Sequence, residues 1–265
     1  MKRKYLLLLI SLMFFGCHSP EEKETDGNNQ EEPEIVDMVV PEIPQIDKTL
    51  KIWTIGDSIT LGSQNGYRNR IWTVMTDAGN SIDFIGTQTH PYPNSAVCPD
   101  ADHDGYSGNT ISDIDGKISA LFETVKAEKP DVLLIMLGTN DLAWWVPNED
   151  FVSGSDERML ALAEKILNLD PDMAVIIGTI PPMSEKIIKE TKMDRADYAA
   201  AYNSALTVQV KNHPLYGSRL FLAETGSILT VNDLYDGIHP TLTGYDRLGD
   251  AWLKALVSYM DTADL

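Results

Sequence analysis

Cysteine, positive charge and long apolar runs are all scarce in this chain of 265 residues. Its cysteines are Cys17 and Cys98, so no intrachain disulfide is possible if Cys17 is modified. Lys and Arg total 21 against 40 Asp and Glu, a net charge of -19, and no basic patch occurs. Nucleic acid is therefore excluded as a partner, because its binding needs clustered cations. The apolar run from Tyr5 to Phe15 is too short to span a bilayer.

The first residues have the pattern of a targeting segment. Three basic residues at 2–4 precede the apolar run, and a small residue and Cys17 follow it. This resembles a bacterial lipoprotein signal, which implies that residues 1–17 are a signal peptide ending at a lipidated Cys17. Phe14 and Phe15 depart from the usual pattern before that cysteine, so a plainly cleaved signal peptide is the alternative. We expect an exported protein that is lipid-anchored to the cell envelope, at the outer membrane.

Residues 18–48 are rich in Glu, Asp, Asn, Gln and Pro. They have too little apolar surface to fold, and their like charges and prolines favour an extended chain. We therefore predict a disordered acidic linker here, followed by one catalytic domain over 49–265. The acids soon after Cys17 also resemble a surface-export signal of some bacterial lipoproteins, with an ordinary linker as the alternative.

Short apolar runs alternate with helical periods throughout the predicted domain. The runs typical of buried parallel strands are 50–55, 82–86, 132–137, 174–180 and 220–223. The helical periods are 67–78, 112–128, 156–169, 194–212 and 242–260. This alternation predicts an α/β fold, a three-layer α/β/α sandwich with a central five-stranded parallel sheet. Ligands bind such sheets at the carboxyl ends of the strands, where we look for chemistry.

Ser58 directly follows the first predicted strand, in the segment Gly56-Asp57-Ser58. Gly56 permits a tight turn there, and a hydroxyl at a strand's carboxyl end is well placed to be a nucleophile. A serine in this position is also a common helix cap, so the position alone does not decide between the two roles.

Asp236 and His239 lie three residues apart, just before the last predicted helix. A serine hydroxyl needs a base to take its proton, and a histidine oriented by a carboxylate is the usual one. The alternative is a surface histidine without a role.

The segments 105–109 and 138–141 combine glycine with asparagine, and the second of them directly follows a predicted strand. Glycine lets a backbone N–H approach a substrate closely, and an asparagine side chain offers a second donor. Together with the Ser58 amide, they could bind the oxyanion of an acyl-transfer reaction. Each segment is also typical of an ordinary turn.

The four segments taken in order resemble the SGNH hydrolases, also called the GDSL esterase family. The matching residues are Ser58 in GDSIT, Gly108 in DGYSG, Asn140 in GTND and His239 in DGIH. The resemblance implies a flavodoxin-like fold and a catalytic triad of Ser58, Asp236 and His239. It implies an oxyanion hole formed by the Ser58 and Gly108 amides and the Asn140 side chain, and neither a cofactor nor a metal.

A narrower resemblance is to family 3 carbohydrate esterases, which include acetylxylan esterases. It rests on the segments 66–68, 84–86 and 103–108, although Asp104 stands where related sequences commonly have Glu. The resemblance implies a carboxylic ester hydrolase that removes acetyl groups from a polysaccharide or oligosaccharide.

Four further residues are candidates for substrate binding. Trp144 and Trp145 could stack on sugar rings, although two adjacent tryptophans cannot easily face the same way and one could be core. Asp57 and Arg68 are the others, and Arg68 could instead hold Asp57 or a loop.

Two other functions are compatible with the same segments. One is a lipase, lysophospholipase or arylesterase of the same superfamily, which would need an apolar channel. The other is a non-catalytic carbohydrate-binding lipoprotein, which would have no need of an activated serine. The sequence leaves the oligomeric state open.

Overall fold

Strands and helices alternate along the part of the chain that this computed structural model describes, residues 40–89, 98–142, 153–184, 195–263 and 265. The strands are β1 (Leu50–Gly56), β2 (Ile82–Ile85), β3 (Gln88–Thr89), β4 (Asp102–Gly105), β5 (Val132–Met136), β6 (Ala174–Gly178) and β7 (Leu220–Ala223). The helices are α1 (Ser58–Leu61), α2 (Arg68–Asp77), α3 (Ile111–Val125), α4 (Ser155–Leu167), α5 (Arg195–Asn212) and α6 (Leu242–Ala263). Short 3-10 turns cover Ser63–Asn65, Lys126–Glu128, Thr225–Ser227 and Val231–Asp233.

Five strands form the parallel sheet in the order β2, β1, β5, β6, β7. The register between β1 and β5 runs from Ile52 opposite Val132 to Gly56 opposite Met136. Strand β5 is buried along its whole length, which is why its residues form one continuous apolar run. The predicted α/β fold and its five parallel strands are confirmed, but the sheet in the described residues has seven strands and not five.

Two short strands were not predicted. Strand β4 pairs in parallel with the end of β1, through Ile55 and Gly56, and β3 pairs antiparallel with β4. The sequence of β4 is DHDG, which has no apolar alternation. Its Asp104 is buried, and the bond that the indole Nε1 of Trp53 donates to Asp104 Oδ2 at 2.7 Å offsets the cost of that burial. A strand with so few apolar residues cannot be predicted from hydrophobic periodicity.

The helices pack in two groups against the sheet. Helix α2 packs against α6, whereas α4 lies between α3 and α5. In α3 and α6 the buried residues recur at helical spacing. They are Ile111, Ile114, Ile118, Phe122 and Val125 in α3, and Tyr245, Leu248, Trp252, Leu256 and Tyr259 in α6. These faces and the strands form one hydrophobic core beneath the carboxyl ends of the strands.

The predicted linker ends earlier than residue 48. Val40, Ile43 and Ile46 are partly buried against the core, and the backbone N–H of Ile46 donates to Asn80 Oδ1 at 3.0 Å. The prediction used the average composition of residues 18–48, which is polar although its last residues include these apolar side chains. The predicted boundary between linker and domain, at residue 48, is therefore wrong. The predicted signal peptide and the predicted linker up to residue 39 lie outside the described residues. No helix in the described ranges is long and apolar enough to cross a membrane.

Candidate active site

Ser58 is the first residue of α1, immediately beyond the carboxyl end of β1. Asp57 caps this short helix, because its Oδ1 accepts from the backbone N–H of Ile59 at 2.9 Å. Gly56 lets the chain turn tightly, since a Cβ there would lie 2.2 Å from Thr60 Oγ1. The local sequence thus places the Ser58 hydroxyl at the edge of the sheet where ligands bind in such folds.

His239 reaches Ser58 from the loop before α6. Its Nε2 lies 2.8 Å from Ser58 Oγ, and its Nδ1 lies 2.7 Å from Asp236 Oδ2. Because an ionised carboxylate only accepts, Nδ1 carries the proton and Nε2 is left to accept from the serine hydroxyl. The loop is held by a bond from the Tyr235 N–H to the His239 carbonyl at 3.0 Å. The histidine is therefore oriented as a base towards Ser58.

Asp236 is fixed by the backbone of its own turn. Its Oδ1 accepts from the N–H groups of His239 and Ile238 at 2.8 and 3.0 Å. Partial burial raises the pKa of Asp236, but the bonds from the His239 backbone, the His239 ring and Ile238 outweigh it and lower that pKa below its ordinary value. The carboxylate consequently stays ionised at neutral pH.

Asn140 and Gly108 lie beside this triad of side chains. The buried Asn140 side chain donates from Nδ2 to the carbonyl of Asn109 at 2.8 Å, and it lies 3.4 Å from Asp57 Oδ2. Gly108 has a φ of 79°, in the left-handed region that favours glycine. One amide hydrogen of Asn140 is thus bonded to the loop that carries Gly108. This bond holds the glycine and asparagine segments next to each other.

Asp141 is a residue of this site that sequence reasoning missed. It is completely buried, accepts from the Ile111 N–H at 3.0 Å and lies 3.5 Å from Arg158 Nη2. Burial raises the pKa of Asp141, although the Ile111 bond and the Arg158 charge oppose that effect. Its position directly after Asn140 was a possible signal, but nothing in the sequence indicated which groups it pairs with.

Tyr235 is a second residue that the sequence did not indicate. Its ring stacks on the His239 imidazole, with centroids 5.8 Å apart and planes 21° apart, and 62% of the residue is exposed. An exposed aromatic ring against a candidate base offers a surface to a ligand beside the reacting atoms.

The segment 54–247, which carries every residue placed in the site above, matches the GDSL-like Lipase/Acylhydrolase family. The chain belongs to this family.

Two kinds of known protein resemble this GDSL-like family member. The first is a multidomain esterase of Ruminococcus flavefaciens, 28% identical over 250 residues, which cover 85% of this chain and 31% of that protein. The chain thus spans less than a third of this relative's length. The second kind comprises solved structures. A family 3 carbohydrate esterase of Clostridium thermocellum is 28% identical with a TM-score of 0.63, over 79% of this chain and 96% of that one. An acetyl esterase variant with an acetate ion is 26% identical with a TM-score of 0.64, over 82% and 99%.

Arg68 is shielded from solvent in this GDSL-like acylhydrolase, which argues against the predicted contact with substrate. It is completely buried, and its guanidinium donates to the backbone carbonyls of Thr60 and Leu61, the latter at 3.2 Å. Burial lowers the pKa of Arg68. Its role is to hold the end of α1, the second of the two roles that the sequence left open.

Asp57 is also too buried to bind substrate, at 1% exposed. Burial raises the pKa of Asp57 to about 6, against the opposing effects of the Ile59 N–H and the nearby His239. Its carboxylate accepts from the Ile59 N–H in the serine segment and lies 3.4 Å from Asn140 Nδ2 in the asparagine segment. The prediction of substrate binding by Asp57 is therefore replaced by a positioning role.

The remaining candidates of this family member lie outside the described residues. They are Trp144, Trp145 and the cysteine predicted to carry lipid, Cys17. In the part of the chain that is described, no group of three or more His, Cys, Asp or Glu side chains is arranged to hold a metal ion.

Proposed function

We propose that the chain is a serine esterase that removes acetyl groups from carbohydrate hydroxyls, with Ser58 as nucleophile. The observation that carries this proposal is the chain of short contacts from Ser58 Oγ to His239 Nε2, 2.8 Å, and from His239 Nδ1 to Asp236 Oδ2, 2.7 Å. Distances of this size permit proton transfer without rearrangement of the site.

In the first half of the reaction, Ser58 Oγ bonds to the ester carbonyl carbon while His239 Nε2 takes its proton. The carbonyl π electrons move to the oxygen, and the oxyanion is held by the Ser58 and Gly108 amides and the Asn140 side chain. The tetrahedral species then collapses. The bond to the sugar oxygen breaks, and His239 returns its proton to that oxygen as the sugar leaves.

In the second half, water attacks the acetyl group on Ser58 while His239 takes a proton from the water. Collapse of the second tetrahedral species releases acetic acid and returns the proton to Ser58 Oγ. Asp236 stays ionised throughout and stabilises the imidazolium that forms in each half, as its lowered pKa favours. The reaction needs no oxidant and no other reactant than water.

The similar proteins support carbohydrate as the alcohol and acetyl as the acyl group. A family 3 carbohydrate esterase and an acetyl esterase are among the similar structures, at 28% and 26% identity. A lipase among the similar structures is only 18% identical and therefore supports the fold alone. Hydrolysis of p-nitrophenyl octanoate faster than of p-nitrophenyl acetate would overturn the acetyl assignment.

The test of the nucleophile is Ser58→Ala. We expect loss of acetate release from p-nitrophenyl acetate and from acetylated xylan, mannan, pectin, sialic acid and peptidoglycan, with an unchanged circular dichroism spectrum. Ser258→Ala is the matched control, because this serine lies exposed on α6 and its hydroxyl contacts only its own helix. Full activity of the Ser58→Ala variant would exclude the mechanism, and binding of glycans without acetate release from the unaltered protein would favour a non-catalytic binding protein.

We further propose that the protein is exported and held at the cell envelope by lipid on Cys17. This proposal rests on the basic residues at 2–4, the apolar run at 5–15 and the cysteine after it. A tethered domain of this kind would reach extracellular polysaccharide from the membrane surface.

A further inference from the structure

A groove lies between α2 and the start of α6, close to the catalytic side chains. Its volume is about 310 Å³, within the range of small-ligand clefts. We call it the α2–α6 groove, and its lining includes Ser63, Asn69, Thr73, Leu242 and Asp246.

Residues that line the α2–α6 groove closely follow Ser58 and His239 along the chain. Ser63 follows Gly62, whose N–H donates to the Ser58 carbonyl at 3.0 Å. Leu242 begins α6 three residues after His239. The groove is thus bounded by the direct extensions of the two segments that carry the nucleophile and its base.

The chemistry of the lining fits an uncharged, hydroxyl-rich ligand. The one arginine in the lining, Arg70, is paired through its Nε with Asp250 Oδ1 at 2.6 Å. The nearby Asp246 carboxylate also offsets its charge, so the groove does not favour an anion. Asp246 is an exposed carboxylate that can accept from hydroxyl groups, and the Thr73 hydroxyl, which donates to the Asn69 carbonyl at 2.9 Å, can still accept. These polar groups share the lining with apolar side chains, Leu242 and the ring of Tyr245.

Exposed apolar side chains lie both in the groove and against the catalytic histidine. Leu242 is 58% exposed, and Tyr235, stacked on His239, is 62% exposed. Sugar rings present C–H faces as well as hydroxyl groups, so a mixture of apolar faces and oxygen acceptors suits them.

We propose that the α2–α6 groove is a subsite for the sugar chain that continues beyond the acetylated residue. The inference rests on the proposed function, because it assumes that the acetylated sugar lies at Ser58 and His239. Its neighbours along the chain then pass over Tyr235 and Leu242 into the groove, where Asp246 and Thr73 accept from their hydroxyls. The enzyme would consequently favour esters on oligosaccharides over esters on small alcohols.

The test compares acetylated xylo-oligosaccharides of increasing length with p-nitrophenyl acetate. The variants are Thr73→Phe, which fills the groove, and Asp246→Ala, which removes an acceptor. We expect the ratio of kcat/KM for the longest oligosaccharide to kcat/KM for p-nitrophenyl acetate to fall about fivefold to tenfold in each. The controls are Thr124→Phe, an exposed threonine within α3, and Asp261→Ala, an exposed acid within α6, which should keep the ratio.

The outcomes separate the subsite from the proposed function. Loss of Ser58-dependent hydrolysis of every ester would contradict the function itself. If p-nitrophenyl acetate is cleaved through Ser58 but the ratio does not change in either groove variant, the subsite is wrong. It is equally wrong if the enzyme releases no acetate from any of the oligosaccharides, or if Thr73→Phe selectively lowers activity on p-nitrophenyl octanoate, which would make the groove an acyl site.

Discussion

The smallest feature on which the proposed chemistry depends is the tautomer of His239. Asp236 Oδ2 accepts from Nδ1, so Nε2 is left to accept from Ser58. In Asp236→Asn the amide oxygen can still accept from the His239 and Ile238 N–H groups, while its NH₂ group faces Nδ1. The imidazole proton is then displaced to Nε2, where it blocks the serine. We predict that kcat for p-nitrophenyl acetate falls about 10²–10⁴-fold.

Asp236→Asn should keep its circular dichroism spectrum and its melting temperature within a few degrees, because the turn retains its backbone bonds. Activity close to that of the unaltered protein would show that Asp236 does not orient His239.

Asp57 makes stability depend on pH. Its folded-state pKa of about 6 is raised above the ordinary value of 3.8, so the protonated form stabilises the fold and this contribution is lost as pH rises through about 6. Asp57→Asn removes the cost of the buried charge, on the order of 3 kcal/mol above that pH. We predict that the variant is more stable than the unaltered protein at pH 7.5 and that the difference shrinks at pH 4.5, as measured by urea unfolding.

The same Asp57→Asn variant should lose activity although it gains stability. Its new amide would face Asn140 Nδ2, which lies 3.4 Å from Asp57 Oδ2, and two donors repel one another. A variant with a pH-independent stability difference would show that Asp57 is not the group that titrates.

Between single residues and the whole domain, the decisive unit is the junction of α3 with the Asn140 loop. Asp141 accepts from the N–H of Ile111, the first residue of α3, and Asn140 donates to the Asn109 carbonyl just before that helix. These two bonds hold Gly108 and the Asn140 side chain, the proposed oxyanion donors, in one arrangement.

Asp141→Ala tests this junction. It leaves the Ile111 N–H buried and unpaired and lets the oxyanion donors move, so we predict a fall of about tenfold to a hundredfold in kcat with little change in KM. Asp141→Asn, whose oxygen can still accept from Ile111, should recover part of the activity.

The matched control for Asp141→Ala is Asp113→Ala. Asp113 belongs to the capping box at the start of the same helix and is exposed, so its loss should cost about 1 kcal/mol of stability and leave kcat unchanged. If both variants lowered kcat equally, the effect would come from helix stability and not from Asp141.

At the scale of the whole molecule, the open prediction concerns the anchor. Cys17→Ala should abolish incorporation of an alkyne-labelled palmitate when the full chain is expressed in bacteria, whereas Cys98→Ala should not, because Cys98 is a buried thiol of the domain. Equal labelling of both variants would contradict a lipid on Cys17. Esterase activity of the Cys17→Ala protein should persist, since the proposed nucleophile and base, Ser58 and His239, bond each other within the folded domain.

The sequence by itself determined the α/β alternation and the segments that carry Ser58, Asn140 and His239. Buried parallel strands need continuous apolar residues, and amphipathic helices need apolar residues with a 3.6-residue period. Both patterns involve residues close together in the sequence, so both can be recognised from the sequence alone. The turns at strand ends are equally local, which is why their glycines and short polar side chains could be recognised in order.

Only the tertiary structure decided what the polar side chains do. Ser58 and His239 meet across 181 positions of sequence. Asp57 and Asp141 likewise contact residues on other segments of the chain, Asn140 and Ile111. The polar strand β4 and the packing of residues 40–48 against the core were likewise decided by the tertiary structure. The physical reason is that burial and pairing of a polar group depend on which distant groups surround it, and a pattern of neighbours along the chain does not contain that information.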